Sequence, residues 1–304
     1  MHFVISREAI LKPLQLVSGV VERRQTLPVL SNVLLSLGSN SMLSITGTDL
    51  EVELIGRVSV DGPNRPGEIT VPARKLVDIC KSLAEDAKLE FTVEESKMVI
   101  KSGRSRFSLA TLAAGDFPNT EEEPGTIELS LSQRDLKALL DGTSFAMAQQ
   151  DVRYYLNGML LVVEGKQVIA VATDGHRLAY SQVELAEAPA GSGQRQEIII
   201  PRKTILECQH LLEDSDDLLE MSLTSNQVKF TFGDIELISK LVEGKFPDFQ
   251  RVIPKGHKNS LVVGRDVADQ VQAVARTAQL QGHLRVGHAP HAIHRLWQQG
   301  LQRL

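Results

Sequence analysis

Two long stretches of this chain repeat one another at a fixed offset, and that duplication limits the fold more than any other feature. Pro72 and Gly115 are 43 residues apart, as are Pro201 and Gly244, while Pro72 to Pro201 and Pro118 to Pro247 are both steps of 129. A period of that length marks duplicated domains, each long enough for its own core, rather than the short stacked units of a solenoid. Whatever the fold is, one plan builds it twice.

The plan reads element by element. Residues 1–5 predict a strand, and Ser6 then caps a helix with Ile10, Leu11, Leu14 and Val17 on one face. Pro13 falls inside that helix and is expected to bend or shorten it, because proline removes a backbone donor. Strands are predicted at 33–37, 42–46, 50–58 and 69–71. A helix follows from Pro72-Ala73-Arg74-Lys75 through Leu76, Ile79, Cys80 and Leu83, with proline suited to a first turn. Strands at 89–93, 98–101 and 106–112 lead to the closing Gly115-Asp116-Phe117-Pro118.

The second unit keeps this order. A strand at 127–131 precedes Ser132 and a helix carrying Leu136, Leu139 and Leu140. Strands at 159–163 and 167–172, split by Glu164-Gly165, lead to Thr173-Asp174, the counterpart of Thr48-Asp49. A strand at 198–200, a helix from Pro201-Arg202-Lys203 and strands at 219–223, 228–232 and 236–241 precede Gly244-Lys245-Phe246-Pro247. A third unit opens at 261–263, with a helix from Asp266 through Val267, Val271 and Val274. Strand alternation is absent from about Gln279 onward. The acidic linker 119–125 and the polar segment 254–259 set the expected boundaries: a first domain over 1–122, a second over 123–255, and an incomplete third with a divergent tail over 256–304.

Composition narrows the class. Hydrophobic residues at 42% and charged residues at 23% describe an ordinary globular chain, and no apolar run approaches a membrane span. The charged N-terminal stretch does not read as a secretory leader. Cys80 and Cys208 are too few for a disulfide framework and read as reduced core residues, so the cytoplasm is the expected compartment. The net charge is −5, but the four helical segments 6–17, 72–83, 132–141 and 201–212 hold nine Lys/Arg against five Asp/Glu. Helices gathered on one side would give a basic face able to meet phosphates on an otherwise acidic molecule. Ordinary solvated helix faces account for the same numbers equally well.

The densest chemistry lies in 149–180, QQDVRYYLNGMLLVVEGKQVIAVATDGHRLAY, where a polar, aromatic loop, two strands and the cluster Thr173-Asp174-Gly175-His176-Arg177 follow one another. Together with VPARKLVDIC, SGRSRFSLATL, IPRK and SKLVEGKFPDFQRVIP, the segments QDVRYYLNGM and ATDGHRLA closely resemble the bacterial β sliding clamp family, the β subunit of DNA polymerase III, over roughly residues 1–278. The resemblance implies an α+β fold of duplicated DNA-clamp domains, helices on the inner face and antiparallel sheets on the outer face. It also implies a homodimeric ring around double-stranded DNA, a processivity factor without catalysis or cofactor. The implied partners are the DNA polymerase III α subunit, the clamp loader and other proteins with a clamp-binding motif.

Carried over position by position, the resemblance places Arg24, Gln150, Tyr154 and Tyr155 near DNA, where guanidinium, amide and phenol groups suit phosphate contact and stacking without reading sequence. From its own chemistry, apart from the resemblance, Tyr155 reads rather as a buried tyrosine that anchors the loop. The implied partner-peptide pocket matches Leu156, Thr173, Gly175, His176, Arg177, Leu178, Pro247 and Val252, an apolar groove with a polar rim. The implied subunit contact matches Phe107 and Leu109 on one side. On the other, Gln279 and Leu280 stand where two adjacent apolar residues are expected.

Two further classes follow from the residues alone. A non-ring fragment would bind clamp-binding peptides as a monomer or decoy. An enzyme could use Asp174 and His176, or a metal on the tail histidines His283, His288, His291 and His294. No third group completes an acid–base site, and Pro290 interrupts the tail, which reads as fortuitous sequence, such as that of a shifted reading frame, rather than as a metal site.

Overall fold

The computed structural model describes residues 1–21, 27–118, 125, 127–189 and 195–253, and the backbone of His294–Trp297. Arg24, Gln279, Leu280 and almost all of the expected third domain lie outside the described residues. Two compact units are present, one of residues 1–124 with 229–239 and one of residues 125–228 with 240–304.

The first unit begins with β1 (His2–Ser6) and α1 (Arg7–Val20). The Ser6 side chain accepts a hydrogen bond from the Ala9 N–H at 3.2 Å, the expected N-cap. Ile10, Leu14, Val17 and Val20 are buried along one face. Each such side chain contributes about 1.5–3 kcal/mol on burial. The expectation that Pro13 shortens this helix is corrected, since α1 continues seven residues beyond it. Pro13 is buried against Gly56, whose absent Cβ would stand 2.8 Å from the Pro13 ring. Tertiary packing thus offsets the forfeited backbone bond.

There follow β2 (Asn32–Leu37), β3 (Met42–Thr48), β4 (Val52–Ser59), β5 (Asp61–Arg65), β6 (Gly67–Pro72), α2 (Ala73–Ser82), β7 (Lys88–Glu94), β8 (Lys97–Ser102) and β9 (Ser105–Ala110). One antiparallel sheet runs β5-β1-β7-β8-β9. Phe3 on β1 stacks on Phe91 of β7 at 4.6 Å between ring centroids. In the second sheet β6, β2, β3 and β4 pair in that order, and the segment 229–239 adds β17 (Ile235–Lys240) along β4. Arg57 and Glu236 form an ion pair across that last ladder at 2.9 Å. The strand β5 is absent from the sequence reading; it forms because β1 offers it a sheet edge.

The second unit repeats the order with β10 (Ile127–Ser132), α3 (Gln133–Thr143), β11 (Gly158–Glu164), β12 (Gln167–Thr173), β13 (Arg177–Glu184), β14 (Gln196–Pro201), α4 (Arg202–Leu211) and β15 (Leu218–Leu223), and β16 (Gln227–Phe232) begins in it and runs into the segment 229–239. Ser132 caps α3 through the Asp135 N–H at 3.0 Å, matching Ser6. One sheet runs β14-β11-β12-β13, and β18 (His294–Trp297) pairs along β13; β10 pairs with β15. Cys80 on α2 and Cys208 on α4 are free, buried thiols, and burial pushes the Cys80 thiol up to about 11 and that of Cys208 higher still.

Candidate functional site

Two turns show the duplication at atomic detail. At the end of β3 the Thr48 hydroxyl accepts from the Leu50 N–H at 3.0 Å, and Asp49 Oδ1 accepts from the N–H groups of Glu51 and Val52. At the end of β12 the Thr173 hydroxyl accepts from the Gly175 N–H at 3.0 Å, and Asp174 Oδ1 accepts from those of His176 and Arg177. The central residue is left-handed in both, Leu50 at φ 80° and Gly175 at φ 85°. Only glycine takes that conformation without strain, so the second turn is the relaxed one.

Asp174 is fully committed. Burial pushes its carboxyl up, but the two backbone hydrogen bonds and the Arg177 guanidinium outweigh this and hold it below the usual range. Arg177 also donates to the Phe145 carbonyl at 2.5 Å and lies 5.6 Å from the centre of the Phe145 ring. His176 is exposed. A carboxylate spent on its own turn beside an exposed imidazole is a structural corner, and no acid–base pair is assembled there. Among the described residues no cluster of three or more His, Cys, Asp or Glu is placed to hold a metal. Of the tail histidines, His283, His288 and His291 lie outside the described residues.

The loop leading into β11 lies against this turn. Asp151 and Asn157 close it reciprocally: the Asn157 side-chain oxygen accepts from the Asp151 N–H and its amide donates to the Asp151 carbonyl, both at 2.9 Å. Arg153 donates Nε and Nη2 to the two oxygens of Asp151 at 3.0 and 2.9 Å. Hydrogen bonds from the Arg153 side chain and backbone lower the Asp151 carboxyl to about 2. The same guanidinium covers Gly175, where a Cβ would meet it at 2.9 Å. A cavity of about 430 Å³ is lined by residues of both loop and turn, among them Met147, Gln149, Gln150, His176, Arg177 and Arg202.

The loop divides its residues sharply. Gln150 is exposed at φ 57°, and Tyr154 is 56% exposed. Tyr155 turns inward, edge-on to Tyr154 at 5.8 Å, and packs on an apolar cluster. That cluster holds Leu156 and Leu178, buried, with Val252 partly buried against it, and it is completed by Phe246 and Phe249. Thr173 is buried, its hydroxyl donating to the Arg177 carbonyl at 2.7 Å, and Pro247 is half-buried next to Phe246. The residues expected at the groove therefore converge on one small region. Phe107 and Leu109 lie elsewhere, on β9, an edge strand of the first unit, with Leu109 buried and Phe107 half-buried.

Sequence reasoning passed over Asp151, Arg153, Asn157 and Phe145, the groups that hold the loop and turn in place. Their signal was present: an Asp and an Arg two residues apart in a loop that ends in Asn-Gly. Phe246 and Phe249 were visible only as parts of a closing motif.

These features define a class, a twice-built α+β domain with a dense polar corner at the end of β12. Family models agree: the N-terminal domain of the DNA polymerase III beta subunit matches residues 1–121 and the central domain matches 130–248. The Pseudomonas aeruginosa beta sliding clamp is 57% identical over 280 residues, covering 92% of this chain and 75% of that one. The Escherichia coli K12 clamp is 46% identical over 281 residues, with the same coverages. Among solved structures, a P. aeruginosa DNA polymerase sliding clamp aligns with a TM-score of 0.84 at 48% identity, covering 98% of this chain and 84% of that chain. The Caulobacter crescentus pol III beta aligns at 0.82 and 35% identity, with the same coverages. The chain belongs to the bacterial β sliding clamp family, the β subunit of DNA polymerase III. Its function is that of a processivity clamp, and it is not an enzyme. No described helix is long and apolar enough to cross a membrane.

Proposed function

We propose that this chain works in the cytoplasm as a clamp that encircles duplex DNA as a homodimer and tethers the replicative polymerase. Processivity then comes from topology, which needs no strong attraction to DNA and suits a net charge of −5. On this reading 1–122 and 123–255 are clamp domains. Arg24, Gln150, Tyr154 and Tyr155 face DNA, and Phe107 and Leu109 contribute to the subunit contact.

The observation that carries the reading is the convergence of Leu156, Leu178 and Val252 in one apolar cluster beside the Thr173–Arg177 turn. An apolar groove with a few fixed polar groups at its rim suits a short peptide with hydrophobic anchors. Such peptides would come from the polymerase α subunit, the clamp loader and other clamp-binding proteins. Fluorescence anisotropy with a labelled clamp-binding peptide tests this. Leu178→Ala should weaken binding about tenfold or more, given the cost of removing a buried anchor surface. Unchanged affinity in that variant removes the groove assignment. Arg24→Ala with Gln150→Ala should weaken DNA binding, most visibly at low salt. Binding that is unaltered across a salt titration removes the DNA assignment.

A further inference from the structure

The two Thr-Asp turns give both copies of the repeat a common point from which to count, and counting from them reveals a replaced strand. In the first unit the strand that leaves the turn is β4, and β17 lies antiparallel along it, with Val52 opposite Ser239 and Ile55 opposite Glu236. In the second unit the strand that leaves the turn is β13, and β18 lies antiparallel along it, with Arg177 opposite Trp297 and Tyr180 opposite His294. Val52 and Arg177 each donate their N–H to the turn aspartate, so the two ladders share direction and register. The occupants have little else in common. β17 belongs to the repeated part of the chain, whereas His294–Trp297 lies in the tail, where the sequence shows no strand alternation. Glu-Leu-Ile-Ser and His-Arg-Leu-Trp match in type only at Ile238 and Leu296.

From this we infer that the edge of β13 is a strand-docking surface read through its backbone, and that the tail segment His294–Trp297 closes it within the same chain. Along a paired strand, successive residues turn their backbone groups to opposite sides. Both backbone groups of Arg177 are held by the turn, its N–H by Asp174 and its carbonyl by the Thr173 hydroxyl. Alternation then aims the backbone groups of Leu178 and Tyr180 away from β12 and toward β18, where Leu296 and His294 stand opposite. Main-chain pairing of this kind asks for an extended segment rather than for particular side chains, which explains why two unlike sequences take one place. Left bare, such a row of donors and acceptors is a template for a strand from another molecule. The tail covers it. The inference concerns the sheet edge alone and is independent of what the neighbouring groove or loop binds.

Amide hydrogen exchange of the full chain, followed residue by residue by NMR, tests this. The Leu178 and Tyr180 amides should exchange about a hundredfold more slowly than unpaired amides. The Ala179 amide, which faces β12, is the internal standard for an intact sheet. Leu296→Pro removes the backbone donor opposite Leu178 and should return Leu178 and Tyr180 to fast exchange while Ala179 stays slow. Leu296→Thr keeps that donor and suits a strand, so all three amides should remain slow. Fast exchange at Leu178 and Tyr180 in the native chain overturns the inference without recourse to any variant. Slow exchange that survives Leu296→Pro overturns it too, since something other than the tail then covers the edge. A loss in Leu296→Thr equal to that in Leu296→Pro overturns the backbone reading, because side chains then hold the strand. Native protection that grows with protein concentration places a second copy's strand on β13 and overturns closure within one chain.

Discussion

Adding one methyl group at Gly175 probes how the loop supports the turn. Gly175 sits at φ 85°, and an alanine there costs about 1–2 kcal/mol through its Cβ alone. The methyl would also arrive 2.9 and 3.0 Å from the two terminal nitrogens of Arg153, the first closer than real Cβ contacts come and the second tighter than most. Arg153 must then move, and in moving it leaves the fork it makes on Asp151. Gly175→Ala should therefore cost more than the backbone figure in the native background. In an Arg153→Ala background it should fall back to that figure, because the obstacle is gone. Urea unfolding of the native chain, both single variants and the double variant gives the four values, compared at constant m. The peptide affinity of each should follow the same pattern, since Leu178 lies three residues beyond the altered one. Equal cost in both backgrounds would show that Arg153 does not brace the turn, and a negligible cost in either would refute the left-handed assignment as well.

Other consequences are smaller in scope. Asp151 should titrate near pH 2 by NMR of its side-chain carboxyl; because its folded value lies below the unfolded one, the clasp stabilises the chain above about pH 4 and is lost as pH falls toward 2. Asp151→Asn should abolish that titration step. Cys80 and Cys208, buried with raised thiol values, should react with a thiol reagent only as the chain unfolds, so rapid reaction of either in native buffer would contradict their placement. Ser132→Ala should lower stability by about 1 kcal/mol through the lost N-cap on α3, measured by urea unfolding, and no loss would mean the Asp135 N–H finds another acceptor.

Much of the architecture was legible because duplicated spacing constrains two copies at once. The four helices and their Ser6 and Ser132 caps follow from short-range rules that tertiary structure did not override. Where sequence reading fell short, the deciding partner was distant in the chain. Pro13 survives inside a helix because Gly56, on β4, leaves space for its ring. The strand at Asp61–Arg65 exists because β1 presents an edge, which Gly62 and Pro63 do not announce. At the candidate site, the apolar side chains and the Thr-Asp-Gly turn were readable from type and order. The role of Arg153 was not, because its meaning depends on Gly175, 22 residues later, having no side chain in its way. Tyr154 and Tyr155 look alike in sequence, and only packing separates the exposed ring from the anchored one.

A clamp is held on DNA by topology rather than by affinity. The direct measurement is gel filtration of the chain after incubation with nicked circular DNA, the clamp loader and ATP, repeated after the circle is cut once. A clamp remains with the circular DNA and is lost from the linear form. Equal retention on both forms would indicate ordinary affinity, and failure to stay on the circle by a chain that still binds clamp-binding peptides would mark it as a peptide-binding protein that does not encircle DNA.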